Sequence, residues 1–125
     1  MKLALAFILA ATTAQAVDVP SGQPVELQEV LVDQVSGETW LRFRFIAPQI
    51  ARDTGAIDSV QAGPDMAFLC DTVAAPYIAQ YELTGDVIVI SMSDRRAEFG
   101  AADPDMTQFF ELFRLNDNTC IWEGL

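Results

Sequence analysis

Asp65-Met66-Ala67-Phe68-Leu69-Cys70-Asp71-Thr72 is the stretch on which the fold turns. Met66, Leu69, Cys70, Val73 and Tyr77 recur at the i, i+3, i+4, i+7 spacing of a buried helical stripe. The spacing predicts an amphipathic helix whose core face carries Cys70. Gly63-Pro64 marks its expected start, because proline suits the first helical position. Asp65 then falls in the first turn, where the helix dipole favours a carboxylate. Pro76 removes a hydrogen bond and is expected to kink or end the helix near Ala75, with a short further turn to Tyr81.

Strands flank this helix on both sides. Val25 to Gln34 begins with apolar and polar residues in alternation. It changes phase at Glu29, where Val30-Leu31-Val32 runs continuously apolar, the pattern of a strand with a bulge. Ser36-Gly37 is a turn. Glu38 to Ala47 follows with Leu41, Phe43 and Phe45 on one face and Trp40, Arg42, Arg44 and Ile46 on the other. Gln49 to Ala62 reads as loop. Beyond the helix, Val87 to Met92 is β-branched and apolar on both faces, as a central strand is. Asp94 to Asp105 reads as loop and Thr107 to Leu115 as the next strand. Asn116-Asp117-Asn118 is a turn of residues that tolerate positive φ, and Thr119 to Glu123 is the last strand, with Cys120 and Trp122 sharing a face. The order ββαβββ predicts a single α+β domain. Its sheet is expected to be antiparallel, of about five strands, with one helix packed on one face.

Cys70 and Cys120 are the chain's two cysteines, and 50 positions separate them. The N-terminus explains how they are read. Lys2, the apolar run Leu3 to Ala11 and the small-x-small site Ala14-Gln15-Ala16 form the three parts of a secretory signal peptide. The expected layout is a cleaved signal over 1–16, an extended leader over 17–24 and the domain over 25–125. The apolar run is far shorter than the ~20 residues that span a bilayer, so no stable membrane insertion is expected after cleavage. An exported chain with two cysteines reads as one with a single disulfide, here stapling the helix to the C-terminal strand. The expected location is periplasmic or secreted.

Composition excludes more chemistry than it suggests. The chain has no histidine and a formal charge of −11, which becomes −12 when Lys2 leaves with the signal. Such acidity opposes nucleic-acid binding and docking on anionic lipid. With no histidine, no catalytic triad or histidine metal site can form, and with no mature lysine there is no Schiff base. No phosphate-binding or dinucleotide motif occurs. No cofactor, metal site or catalytic residue is assigned, and a non-enzymatic role is expected.

Three groupings remain as candidates. Trp40, Arg42 and Arg44 form an outward row with the composition of an interface hot spot, or simply arginine stacked on indole. Arg95 and Arg96 could grip a carboxylate or phosphate, or serve as a salt-bridged loop. Glu98, Asp103, Asp105 and Glu111 could run a carboxylate-dependent hydrolysis or hold a cation, or act as capping and turn residues. The favoured reading is an envelope binding or accessory protein with a protein partner. A small carboxylate enzyme or cation binder using Glu98, Asp103 and Asp105 is the alternative.

Several blocks occur together and in order: Trp40-Leu41-Arg42-Phe43-Arg44-Phe45, Phe68-Leu69-Cys70, Val89-Ile90-Ser91-Met92-Ser93-Asp94-Arg95, Phe99-Gly100, Asp103-Pro104, Thr107-Gln108-Phe109-Phe110-Glu111 and Cys120-Ile121-Trp122-Glu123. As a set they resemble the DUF6497 family of small exported alphaproteobacterial proteins of unknown function. The resemblance covers nearly all of the mature chain. It implies an exported single domain with both cysteines at matching positions, and it carries over no activity and no catalytic residue.

Overall fold

The computed structural model describes residues 16–124. The expected signal peptide therefore lies outside the described residues except for Ala16. Six strands form one sheet in sequence order: β1 (Ala16–Asp18), β2 (Pro24–Val35), β3 (Glu38–Ile46), β4 (Val87–Ser93), β5 (Gln108–Asn116) and β6 (Thr119–Trp122). Between β3 and β4 runs a continuous helical stretch. It comprises α1 (Ser59–Leu69), a π-helical turn (Cys70–Ala74) and α2 (Ala75–Gln80).

The sheet is mixed, not antiparallel throughout. β3 and β4 are parallel, with Leu41 opposite Ile88 and Phe43 opposite Ile90, while every other pairing is antiparallel. The physical reason is the helix. It carries the chain back along the sheet before β4 begins, and such a crossover returns the next strand in the same direction. The sixth strand comes from the leader. Ala16–Asp18 pairs with Pro24–Glu26, and Val19 is buried in the core.

The bulge expected near Glu29 is present: the β2–β3 register shifts between Leu27 and Glu29. After it, Val30 and Val32 face the helix side with Phe43 and Leu41, while Glu29, Leu31 and Asp33 face the opposite side with Arg44, Arg42 and Trp40. The turns are also as the residue types require, with positive φ at Ser36, Gly37, Asp117 and Asn118.

The helix begins earlier than Pro64. Asp58 caps it: its carboxylate accepts from Gln61 N at 2.9 Å, and Gln61 Oε1 accepts from Asp58 N at 3.0 Å. This reciprocal box satisfies the first-turn donors and outweighs the proline signal. Pro64 is tolerated because the carbonyl it leaves unpaired belongs to Val60, which is 82% exposed and open to water. Nor does Pro76 end the helix. The π turn lies directly before it, with Ala75 N donating to Cys70 O, and the wider turn makes room for the ring.

Met66, Leu69, Cys70, Ala74 and Ile78 bury against Leu41, Phe43, Phe45, Ile88, Ile90, Met92 and Phe113. Val73 and Tyr77 are only partly buried at its margin. Asp65 is fully buried rather than a first-turn surface residue. Its carboxylate accepts from Ser21 N (2.9 Å), Ser21 Oγ (2.5 Å) and Gln23 Nε2 (2.8 Å), tying the leader to the helix.

The disulfide joins Cys70 to Cys120 with the Cα atoms 6.1 Å apart. Cys70 is fully buried, but Cys120 is only partly so and Trp122 is 61% exposed, because β6 is a four-residue edge strand beyond the helix's cover. The bond is thus half in the core, not wholly within it.

Candidate functional site

One face of the sheet is covered by the helix; the other is the candidate site. Register places Leu31, Arg42, Val89 and Leu112 in one row across it, and Glu29, Arg44, Ser91 and Phe110 in the next. Val87, Val89 and Leu112 make a small second apolar cluster there, with Trp40 packed against it. The β4–β5 loop then folds back over this face and sets Phe99 above it.

The three members of the candidate row have different roles. The Arg42 guanidinium lies between two rings, 5.3 Å from the Trp40 centroid and 5.1 Å from that of Phe99. It also donates to Asp33 Oδ2 at 3.0 Å. Arg44 is 5% exposed. It pairs with Glu29, donates to Ala97 O at 2.9 Å and lies 5.6 Å from the Phe99 ring. The bond to Ala97 anchors the β4–β5 loop, which sets Phe99 over the guanidinium. Trp40 is half-buried, and its indole N–H has no hydrogen-bond partner among the described residues.

Arg95 and Arg96 do not act as a pair. Arg95 donates to Asp94 and to the carbonyl of Asp105 and lies 3.6 Å from Asp103, bracing the loop from within. The hydrogen bond it donates to Asp94 raises its pKa above the ordinary value. Arg96 is exposed and has no ion pair among the described residues; it borders an open depression with Gln28, Glu29, Glu98 and Phe99.

The carboxylates are dispersed. Asp103 closes a turn by accepting from Asp105 N at 3.0 Å. Glu111 lies on the helix side, where it accepts from the Trp122 indole at 2.9 Å. Among the described residues, no three metal-ligating side chains come together.

Two residues of the site were hidden in the sequence. Phe99 reads as a loop residue and Phe110 only as part of the strand Thr107 to Leu115, yet they are 52% and 53% exposed and flank one hollow. It measures about 170 Å³, with Val89 and Ser91 at its base and Arg42, Arg44 and Gln108 in its wall. The signal for Phe110 was present: in a strand, adjacent Phe109 and Phe110 must face opposite sides. A larger hollow of about 480 Å³ opens between Ile50, Arg52, Ile57, Asp58, Thr107 and Phe109. Its two charged side chains are already engaged: Asp58 caps α1, and Arg52 donates to Pro104 O at 2.8 Å. The smaller, aromatic-flanked hollow is the better candidate because recognition needs exposed anchoring side chains, not volume alone.

No helix among the described residues is long and apolar enough to cross a membrane. Comparison with known proteins matched the model of a family of unknown function, DUF6497, over residues 4–125, and the chain belongs to that family. No curated protein and no solved structure matched it.

Proposed function

We propose that this member of the DUF6497 family is an exported, non-enzymatic binding protein of the cell envelope that engages a protein partner through the outer sheet face. The observation that carries the reading is the pair Phe99 and Phe110. Two half-exposed aromatic rings flank a hollow whose wall includes an arginine, and one of those rings is held there by a buried arginine. Rigid aromatic and arginine anchors beside a pocket are what protein interfaces use for most of their affinity. The tripartite N-terminus supports export. Cleavage after Ala16 would leave Val17 and Asp18 to keep β1 paired with Val25 and Pro24.

Site-specific photocrosslinking in the native envelope tests this. A photoreactive phenylalanine analogue at position 99 or 110 should give one discrete protein adduct, lost on adding Arg42→Ala. The same analogue at position 68, on the helix, should give none. Equal adducts at all three positions, or none at 99 and 110, would defeat the reading. Mass spectrometry of the exported chain should find Val17 as its first residue.

A further inference from the structure

A second surface is independent of the aromatic hollow. β2 has 12 residues, but β1 covers only Pro24–Glu26. Among the described residues, β2 from Leu27 onward has a strand neighbour on one side alone, β3. Which backbone groups this leaves outward follows from the hairpin. Val35 and Glu38 close the two-residue turn at Ser36-Gly37, and in such a turn the closing pair is hydrogen-bonded. Alternation then turns the N–H and C=O groups of Val35, Asp33, Leu31 and Glu29 inward to β3, and those of Gln34, Val32 and Val30 outward. One contact agrees independently: Gln34 N donates to the Asp33 side chain at 2.9 Å, so it is not bound to β3.

That contact closes one end of the edge, and the bulge at Gln28 closes the other. The open window is Val30 to Val32. It is apolar, with Val32 63% exposed. It contains neither proline nor lysine to repel another strand. Glu29 and Asp33 stand at its two ends on the outer face, their side chains 36% and 35% exposed.

We propose that this window takes an extended segment of a partner protein as an added antiparallel strand, and that the segment is apolar at its centre with a basic residue two positions to either side. With the segment's central residue opposite Leu31, its neighbours meet Val30 and Val32, and the basic residues meet Glu29 and Asp33. The carboxylates already bind Arg44 and Arg42, but each oxygen has a further lone pair to offer. A second copy of the chain fits less well. A two-fold pairing about Leu31 sets Glu29 opposite Asp33, and like charges directly opposite destabilise a pair. The formal charge of −11 per chain adds to that repulsion.

The test uses a capped synthetic peptide with the core Lys-Val-Leu-Val-Lys, the mature chain, and amide exchange followed by NMR. Saturating peptide should slow exchange at Val30 and Val32 at least tenfold. Replacing both lysines by glutamate, or methylating the two valine amides, should weaken binding at least tenfold. Val32→Lys, at a position exposed enough to preserve the fold, should do the same. Phe110→Ala, on β5 and away from this edge, should leave peptide affinity unchanged, which separates the edge from the aromatic hollow. Unprotected Val30 and Val32, equal binding of the glutamate peptide, or a peptide-free dimer already protected at these amides would each overturn the proposal.

Discussion

The backbone N–H of Cys120 donates to Asp71 Oδ1 at 2.9 Å, so the residue next to Cys70 holds the strand that Cys70 bonds covalently. The helix and the last strand are joined twice at one point. Replacing both cysteines by alanine should lower unfolding free energy by about 2–4 kcal/mol, because the bond closes a long loop in the unfolded chain. Asp71→Ala should cost about 1 kcal/mol, the usual worth of one exposed hydrogen bond. Urea denaturation of the three proteins checks both.

Asp65→Ala should be among the more damaging single substitutions in the helix. It takes the acceptor from the buried Gln23 amide and from both Ser21 donors, and the expected cost is about 2–4 kcal/mol. Limited proteolysis should show new cleavage between Val19 and Pro24 at a protease concentration that leaves the wild type intact.

Arg44→Ala should release the β4–β5 loop. Glu29 stays 36% exposed and can hydrate once unpaired, so the loss stays near 1–2 kcal/mol, below that of breaking a fully buried pair. Arg42→Ala should cost under about 1 kcal/mol, since its pair with Asp33 is partly solvated. Hydrogen exchange at residues 97–100 should rise in the first variant and not in the second.

Gly55→Ala should lower stability far more than Gly63→Ala. A Cβ at position 55 would overlap the Gln49 carbonyl oxygen, forcing open the loop that Ile57 N closes on that same atom. The expected cost is about 2–4 kcal/mol. At position 63 nothing beyond the chain neighbours lies within 4 Å, but the Pro64 ring crowds any Cβ on the helical residue before it, so the usual helix gain of alanine is offset and the net change should stay within about 0.5 kcal/mol. Thermal melts of the pair decide it.

Much of the local structure was legible because its causes are local. The Met66-Leu69-Cys70 stripe, the phase change at Glu29 and the positive φ of Asp117 and Asn118 follow from residues within a few positions of each other. Where distant residues decide, the sequence was silent. Asp65 reads as a surface carboxylate until Ser21 and Gln23, 44 and 42 positions away, are brought to it. The parallel junction depends on the helix's path relative to strands on both sides of it. In the candidate site, the row Trp40, Arg42 and Arg44 was visible in the alternation of β3. That Arg44 would anchor a loop, and that Phe99 would complete the site, depended on how a 14-residue connection folds back.

The parallel pairing of β3 with β4 also has a kinetic meaning. β1–β2–β3 and β4–β5–β6 are each antiparallel meanders of near neighbours, and the sheet becomes continuous only along that one seam. Local pairings form quickly, while a seam that must first order a long crossover is slow. Each half should therefore take shape before the two join. Cys70 belongs to the crossover and Cys120 to the second half, so the rate at which the disulfide forms during refolding is a clock for the joining step. A chain emerging N-terminus first across a membrane would complete its first meander well before that clock starts.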